Sequence, residues 1–279
     1  MSQPTSPAPK ALPIDPLQPD PWIGLRRHTP ARIALGRSGV SLPTAELLAF
    51  GLAHAQARDA VHLALDAEAF CEALQAEGLQ TLRSASAAPD RAAYLLRPDL
   101  GRRLPEAESA RLRAMATSPR LLVVVGDGLS SLAVARQALP LLRALRAMTP
   151  PGWPAPGEPD APVVVTTQAR VALADDIGEA LGAAQVLMLI GERPGLSSPD
   201  SLGAYLTAAP RRGRHDAQRN CISNIRPEGL TVERAAHKIW WHVLQAEALK
   251  ATGVALKDLS DQVLLPGLPA APGSPALAG

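Results

Sequence analysis

Residues 186–190, Val-Leu-Met-Leu-Ile, form an unbroken apolar run that stops at Gly191-Glu192-Arg193-Pro194-Gly195. A run this short and uniformly apolar suits a strand buried on both faces, the situation of a central strand in a parallel sheet. The Gly and Pro residues after it mark a loop at the strand's carboxyl end. In open α/β sheets that end is where ligands bind. A long polar segment then leads to a second polar cluster, Asn220-Cys221-Ile222-Ser223-Asn224. Two such clusters bracketing a loop predict a small-molecule site within residues 186–226.

Similar runs place the other strands. Residues 121–125 (Leu-Leu-Val-Val-Val) and 163–167 (Val-Val-Val-Thr-Thr) are continuous and rich in β-branched side chains, and residues 221–225 supply a fourth strand. Helical patterns separate them: one capped by Ser130 and reaching about Ala147, one around residues 175–181, and one over 231–252. In the last, Ala235, Ile239, Val243 and Leu249 share the core-facing side, and Gly253 is the expected stop. Strands alternating with helices predict a parallel sheet with right-handed crossovers. Before it, residues 22–118 read as mainly helical. Thr44 caps a helix to about Leu65, a second runs over 68–77 and ends at Gly78, a short strand or connector follows at 79–83, and a last helix covers 107–115. The expected fold class is therefore α/β, a helical amino-terminal part followed by a parallel sheet flanked by helices. The domain reading is a flexible tail over 1–21, a helical domain over 22–118, the sheet domain over 119–265 and a second flexible tail over 266–279. Both tails are rich in Pro and small residues and bury too little apolar surface to offset ordering entropy.

Aromatic residues are only 3% of a chain that is 47% hydrophobic, so the core is built mainly of Ala, Leu and Val. The net charge of +2 speaks against nucleic acid or an anionic membrane as partner. No apolar run approaches the roughly 20 residues of a membrane span. The start of the chain has neither an apolar h-region nor a basic run. With two distant cysteines, Cys71 and Cys221, a reducing cytoplasm is the expected setting.

A self-contained enzyme needs a nucleophile–base pair, paired carboxylates or a metal cluster, and none has convincing spacing. Cys221 lacks a suitably spaced His and reads as a small buried residue or a ligand contact. His215 sits on an Arg-rich loop and reads as solvated. His54 and His62 flank Arg58 on one helix face but have no third metal ligand, so a polar docking face is the better reading. Glu192 either caps its loop through backbone N–H groups or accepts hydrogen bonds from a ligand, with Arg193 balancing its charge. Asp127, in Gly126-Asp127-Gly128, has the same two readings, the structural one favoured. That turn lacks the final small residue of the dinucleotide fingerprint. The run Arg211-Arg212-Gly213-Arg214 reads as a solvated basic loop before it reads as a phosphate site.

GERPGLSSPDSLGAYLT followed by RNCISNIRPEG resembles the small (light) subunit of ethanolamine ammonia-lyase. LRRHTPARIALGRSGVSLPTAELLAFGLAHAQARDAVH, LLVVVGDGLSSLAV and RVALADDIGE are similar to the same family, so the likeness covers residues 22–257. The resemblance implies a Rossmann-like carboxyl-terminal part and a subunit of a carbon–nitrogen lyase that converts ethanolamine to acetaldehyde and ammonia with adenosylcobalamin. It also implies a hetero-oligomer in which the large subunit holds ethanolamine and surrounds the radicals, while the small subunit closes the cobalamin site. No catalytic residue and no metal ligand is then expected on this chain. Cobalamin-contact positions carry over to Val171, Glu192 and Cys221, although Ala172, Leu173 and Ala174 replace a more polar family stretch beside the first. All three are expected at or near the carboxyl ends of strands. The absence of a D-x-H-x-x-G motif fits base-on binding. Some family members work inside bacterial microcompartments, so the cytoplasmic reading includes that setting. Two other readings compete, a stand-alone nucleotide-dependent oxidoreductase built on the GDG turn and a microcompartment-targeting scaffold acting through the first twenty residues.

Overall fold

A computed structural model describes residues 17–115 and 117–262. The chain divides into two compact units, residues 1–55 and 56–279; of the tail expected over 1–21, residues 1–16 lie outside the described residues, as does the whole of that expected over 266–279. Residues 17–21, expected within the first tail, include an ordered contact: Gln18 forms an antiparallel bridge with Arg37, and its side chain accepts from Arg37 Nε at 3.0 Å. Within the first unit a 3-10 turn, Ile23–His28, precedes the start of helix α1, Thr44–His62, and Arg26 donates to Glu46 at 2.8 Å. Leu47, Leu48, Phe50 and Leu52 on α1 are exposed.

The second unit is a six-stranded sheet with helices on both faces. Its elements are α2 (Ala67–Ala76), β1 (Thr81–Ala85), α3 (Arg91–Leu96), α4 (Glu106–Arg113), β2 (Leu121–Gly126), α5 (Ser131–Ala133), a π turn (Val134–Ala138), α6 (Leu139–Ala147), β3 (Val163–Thr167), α7 (Leu173–Ala180), β4 (Gln185–Gly191), β5 (Leu202–Ala208), β6 (Asn220–Ile225) and α8 (Val232–Leu249). The strand order is β1-β3-β2-β4-β5-β6. β2, β3 and β4 are parallel, as their apolar runs predict, and β1 is parallel to β3, but β5 pairs antiparallel to β4 and β6 antiparallel to β5. The sheet is therefore mixed, which corrects the all-parallel expectation. The cause is β5, Leu-Gly-Ala-Tyr-Leu-Thr-Ala, whose three small residues and one Thr hide its strand character inside a polar segment. β1 also joins the sheet, so Ser118-Pro119 falls between α4 and β2 inside this unit.

β2 and β4 are buried along their whole length and β3 nearly so, as strands covered on both faces must be. On one face Val123, Val125, Leu187 and Leu189 pack with α2, α6 and α8. On the other Leu122, Val124, Val186 and Met188 pack with α7. Local chemistry sets the helix limits. Asp66 accepts from Ala69 N, and Ser130 from Ala133 N, as helix caps do. Pro140 removes an N–H two residues into α6, and the chain widens into a π turn just before it. Gly178 lets α7 pack closely, since a Cβ there would stand 2.6 Å from Pro210. α8 ends earlier than expected: Lys250, in the left-handed region at φ 56°, stops it. Gly253 serves a different need, because a Cβ there would lie 2.0 Å from the Ala217 carbonyl oxygen. Among the described residues no helix is long and apolar enough to cross a membrane.

Candidate functional site

From β2 the chain crosses to β3 on one side, and from β3 it passes over β2 to β4 on the other. Reversal of winding opens a crevice at the carboxyl ends of these strands. A cleft of about 400 Å³ lies there, lined by Gly128 and Leu129 after β2, Arg170 and Val171 after β3, and Ile190 to Arg193 at the end of β4. Tyr94 of α3 and Tyr205 of β5 complete it. Two loop backbones touch at one side. A Cβ on Gly128, whose φ is +58°, would stand 2.2 Å from the Gly191 carbonyl oxygen, and one on Gly191 would stand 2.0 Å from that of Ser130. Leu129 N donates to the same Gly191 oxygen at 2.9 Å. Gly128 of the GDG turn thus serves backbone packing against the end of β4, while Gly126 makes room for Met188, whose Cε would stand 2.5 Å from a Cβ there.

Glu192 is held in place before any ligand arrives. Its Oε2 accepts from Ser201 Oγ at 2.6 Å and from Asn224 N at 3.3 Å, while its own N–H donates to the Ser201 carbonyl at 3.0 Å. Both readings of this residue are therefore compatible: it ties the ends of three strands together and keeps an acceptor at the cleft. Arg193 lines the same cleft and is exposed, but Ser201 and Asn224, not Arg193, hold the carboxylate.

Val171 packs its side chain against the α7 face of the core from the cleft wall. The loop that carries it is tightly specified. Gln168 takes a left-handed backbone, φ 55°, which a non-glycine residue adopts only when its surroundings hold it there. Asp127, fully buried, accepts from Gln168 N and Ala169 N, both at 2.9 Å. Arg91 donates to Asp127 at 3.2 Å, to the Gly128 carbonyl at 2.8 Å and to the Val61 carbonyl at 2.8 Å. Burial pushes the Asp127 carboxyl above its ordinary range, opposed by the two amides and by Arg91. Tyr94 Oη donates to the Ala169 carbonyl at 2.9 Å, and burial raises this phenol to about 12. The Arg91 and Arg170 guanidinium groups both lie over the Tyr94 ring, at 4.7 and 4.3 Å.

Cys221 is not at a strand's carboxyl end, as expected, but is the second residue of β6, opposite Tyr205 of β5. The inserted antiparallel β5 decides this: β6 runs parallel to β4, so its end at the cleft is Ile225, which pairs with Leu202. Cys221 is exposed as a residue, because Ile222 and Ile225 take the buried side of β6. Its thiol is nevertheless pushed above the ordinary range by desolvation and by Glu192, while a hydrogen bond with Tyr205 works the other way. Val171 and Glu192 share one cleft; Cys221 adjoins it through Tyr205.

Several residues that shape the site were not singled out by the sequence. Tyr205 and Ser201 lie in GERPGLSSPDSLGAYLT and Arg170 in the Arg-Val pair, all within recognisable motifs, but Tyr94 carries no local signal. The basic loop is more than solvated: Arg212 pairs with the buried Asp176, and Arg214 donates to the Ala208 and Ala209 carbonyls. His215, His54 and His62 are exposed. Among the described residues no three His, Cys, Asp or Glu side chains converge as a metal site requires.

Residues 19–257 match the family described as ethanolamine ammonia-lyase light chain. The ethanolamine ammonia-lyase small subunit of Azotobacter vinelandii is 53% identical over 264 residues, covering 93% of this chain and 96% of the relative. That of Ralstonia nicotianae is 55% identical over 251 residues, 88% of this chain and 91% of the relative. That of Pseudomonas putida is 54% identical over 248 residues, 87% and 89%. Matched over nearly all its described length by both comparisons, the chain belongs to the ethanolamine ammonia-lyase small-subunit family.

Proposed function

We propose that this chain is the non-catalytic subunit of an adenosylcobalamin-dependent ethanolamine ammonia-lyase, and that its cleft forms one wall of the cobalamin site against a large subunit. The observation that carries the reading is the joint presence of Val171 and Glu192 in one cleft at the topological switch point. The donor set suits a corrin, which has an apolar rim and several amide side chains. Val171, Leu129 and Ile190 offer apolar contact; Glu192 accepts from amide N–H groups, and Arg170, Arg193 and Tyr205 donate to amide oxygens. A corrin with its nucleotide is larger than a cleft of about 400 Å³, so this wall takes one edge and the rest falls to a partner.

When bound, the cofactor supplies the homolytic Co–C cleavage that begins the radical chemistry. This chain's residues bind and orient it. Glu192, fixed by Ser201 and Asn224, presents a pre-oriented acceptor whose ordering cost is met on folding. Gly128 of the GDG turn is already used in packing against Gly191, which weighs against a nucleotide-binding oxidoreductase.

The test mixes a purified large subunit, ethanolamine and adenosylcobalamin with and without this chain, and with its Glu192→Ala variant. Acetaldehyde release that depends on the chain, with cobalamin bound more weakly by the variant complex, is the expected result. Equal rates with and without the chain would overturn the reading.

A further inference from the structure

We infer that Asp127 is a positioning residue for the cofactor wall: by clamping the Gln168–Ala169 backbone it sets where Arg170 and Val171 stand in the cleft. This inference rests on the cobalamin reading above. Asp127 itself does not line the cleft, and no ligand is needed to explain its contacts.

The geometry is specific. One carboxylate oxygen accepts from Ala169 N and the other from Gln168 N, each at 2.9 Å. The residue so clamped, Gln168, is in the left-handed region at φ 55°, where a side chain costs free energy that glycine would not. Arg91 braces the carboxylate and continues the support, because its guanidinium lies over the Tyr94 ring whose hydroxyl donates to the Ala169 carbonyl. Arg170 then rests on the same ring, and its N–H donates to the Gly101 carbonyl at 2.8 Å. The N–H groups of Gln168, Ala169 and Arg170 and the Ala169 carbonyl thus each have an assigned partner, and together they hold the unusual conformation. A carboxylate is required for this. In Asp127→Asn one oxygen becomes an NH2 group facing the N–H of Gln168 or Ala169, and the charge that holds Arg91 is gone.

Loosening the turn leaves Glu192 and the GDG–Gly191 contact in place, so the expected loss falls on cofactor affinity and not on turnover once the cofactor is bound. The experiment uses the assembled complex of large and small subunits and titrates adenosylcobalamin, following its absorbance and, separately, the KM and kcat of deamination. Asp127→Asn is expected to raise the cofactor Kd and KM by about tenfold, the scale of one lost charge-assisted hydrogen bond, with kcat within about twofold of the parent. Adding Gln168→Gly, which reaches the left-handed region without the clamp, is expected to recover part of that affinity. Amide exchange at Gln168 and Ala169 should be faster in Asp127→Asn and not elsewhere in the sheet. Unchanged affinity, or a parallel fall in kcat that Gln168→Gly does not relieve, would overturn the inference. If Asp127→Asn does not fold, Arg91→Lys, which keeps the charge but loses the planar fork, is read by the same criteria. Should the parent chain not alter cobalamin capture at all, the cobalamin reading fails; amide exchange at residues 168 and 169 then still shows whether Asp127 holds the turn.

Discussion

Glu192 reaches from the end of β4 to Asn224 on β6, two strands away, and its Oε2 accepts the Asn224 N–H at 3.3 Å. The strand it crosses is β5, and the residue beneath it is Gly203. A Cβ at that position would stand 3.0 Å from Glu192 Oε1, 3.2 Å from its Cγ and 3.2 Å from the Tyr205 ring. Gly203→Ala should therefore displace the carboxylate by a few tenths of an ångström and loosen its bond to Asn224. The expected outcome is weaker cobalamin binding by the assembled complex, with a stability loss of only about 1 kcal/mol. Spectroscopic titration and thermal unfolding of the same variant separate the two effects.

Cys221 should behave as a poor nucleophile. Its folded pKa lies above the ordinary thiol value of 9.0, so at pH 8 it holds less thiolate than a free cysteine, and the deficit closes only as pH rises through the folded value. Alkylation by iodoacetamide, followed on the Cys221 peptide by mass spectrometry, should be slower than that of a model thiol at pH 8. The neighbours predict opposite shifts: Glu192→Gln speeds the reaction by removing a repulsive charge, and Tyr205→Phe slows it by removing a hydrogen bond to the thiolate. Equal rates in all three proteins would exclude this arrangement.

Arg219 and Asp175 form an ion pair buried on both sides, with Arg219 also donating to the Arg214 carbonyl at 2.7 Å. Burial pushes Asp175 above the ordinary carboxyl range, and Arg219 opposes the shift. Arg219→Ala strands that carboxyl in the core and should cost about 3–5 kcal/mol. The double variant Arg219→Met, Asp175→Leu should be less destabilised than Arg219→Ala, because it leaves no uncompensated charge. Chemical denaturation of the two variants gives the comparison directly.

Acid sensitivity has a defined contributor in Glu247. Arg120 donates to it at 2.7 and 2.5 Å and lowers its pKa below 4.5, while the same guanidinium lies 3.7 Å over the Trp153 ring. A lowered carboxyl pKa stabilises the fold fully above the unfolded value, and this is lost as pH falls through the folded one. Glu247→Gln should thus cost little at pH 7, about 0.5 kcal/mol for so exposed a pair, and should flatten the loss of stability below pH 4.5. A denaturant midpoint measured across that range checks both parts.

Much of the molecule was legible in its residues because burial on both faces leaves a local mark. β2, β3 and β4 were readable as uninterrupted apolar runs, and Ser130 as a cap, since each depends on neighbours a few positions away. The motif around Glu192 was equally plain, and the family match agrees with the resemblance it suggested. What the sequence by itself determined was the family, the α/β class and the loop that ends β4.

The direction of β5, the placement of Cys221 and the duty of Asp127 came only from the tertiary structure. β5 has no strong alternation, and its pairing partner Gln185–Gly191 precedes it across a loop of irregular backbone. Asp127 meets amides 41 and 42 residues further on, and Tyr94 meets a carbonyl 75 residues away. Such contacts depend on where the sheet brings separate loops together, and no local periodicity encodes that distance.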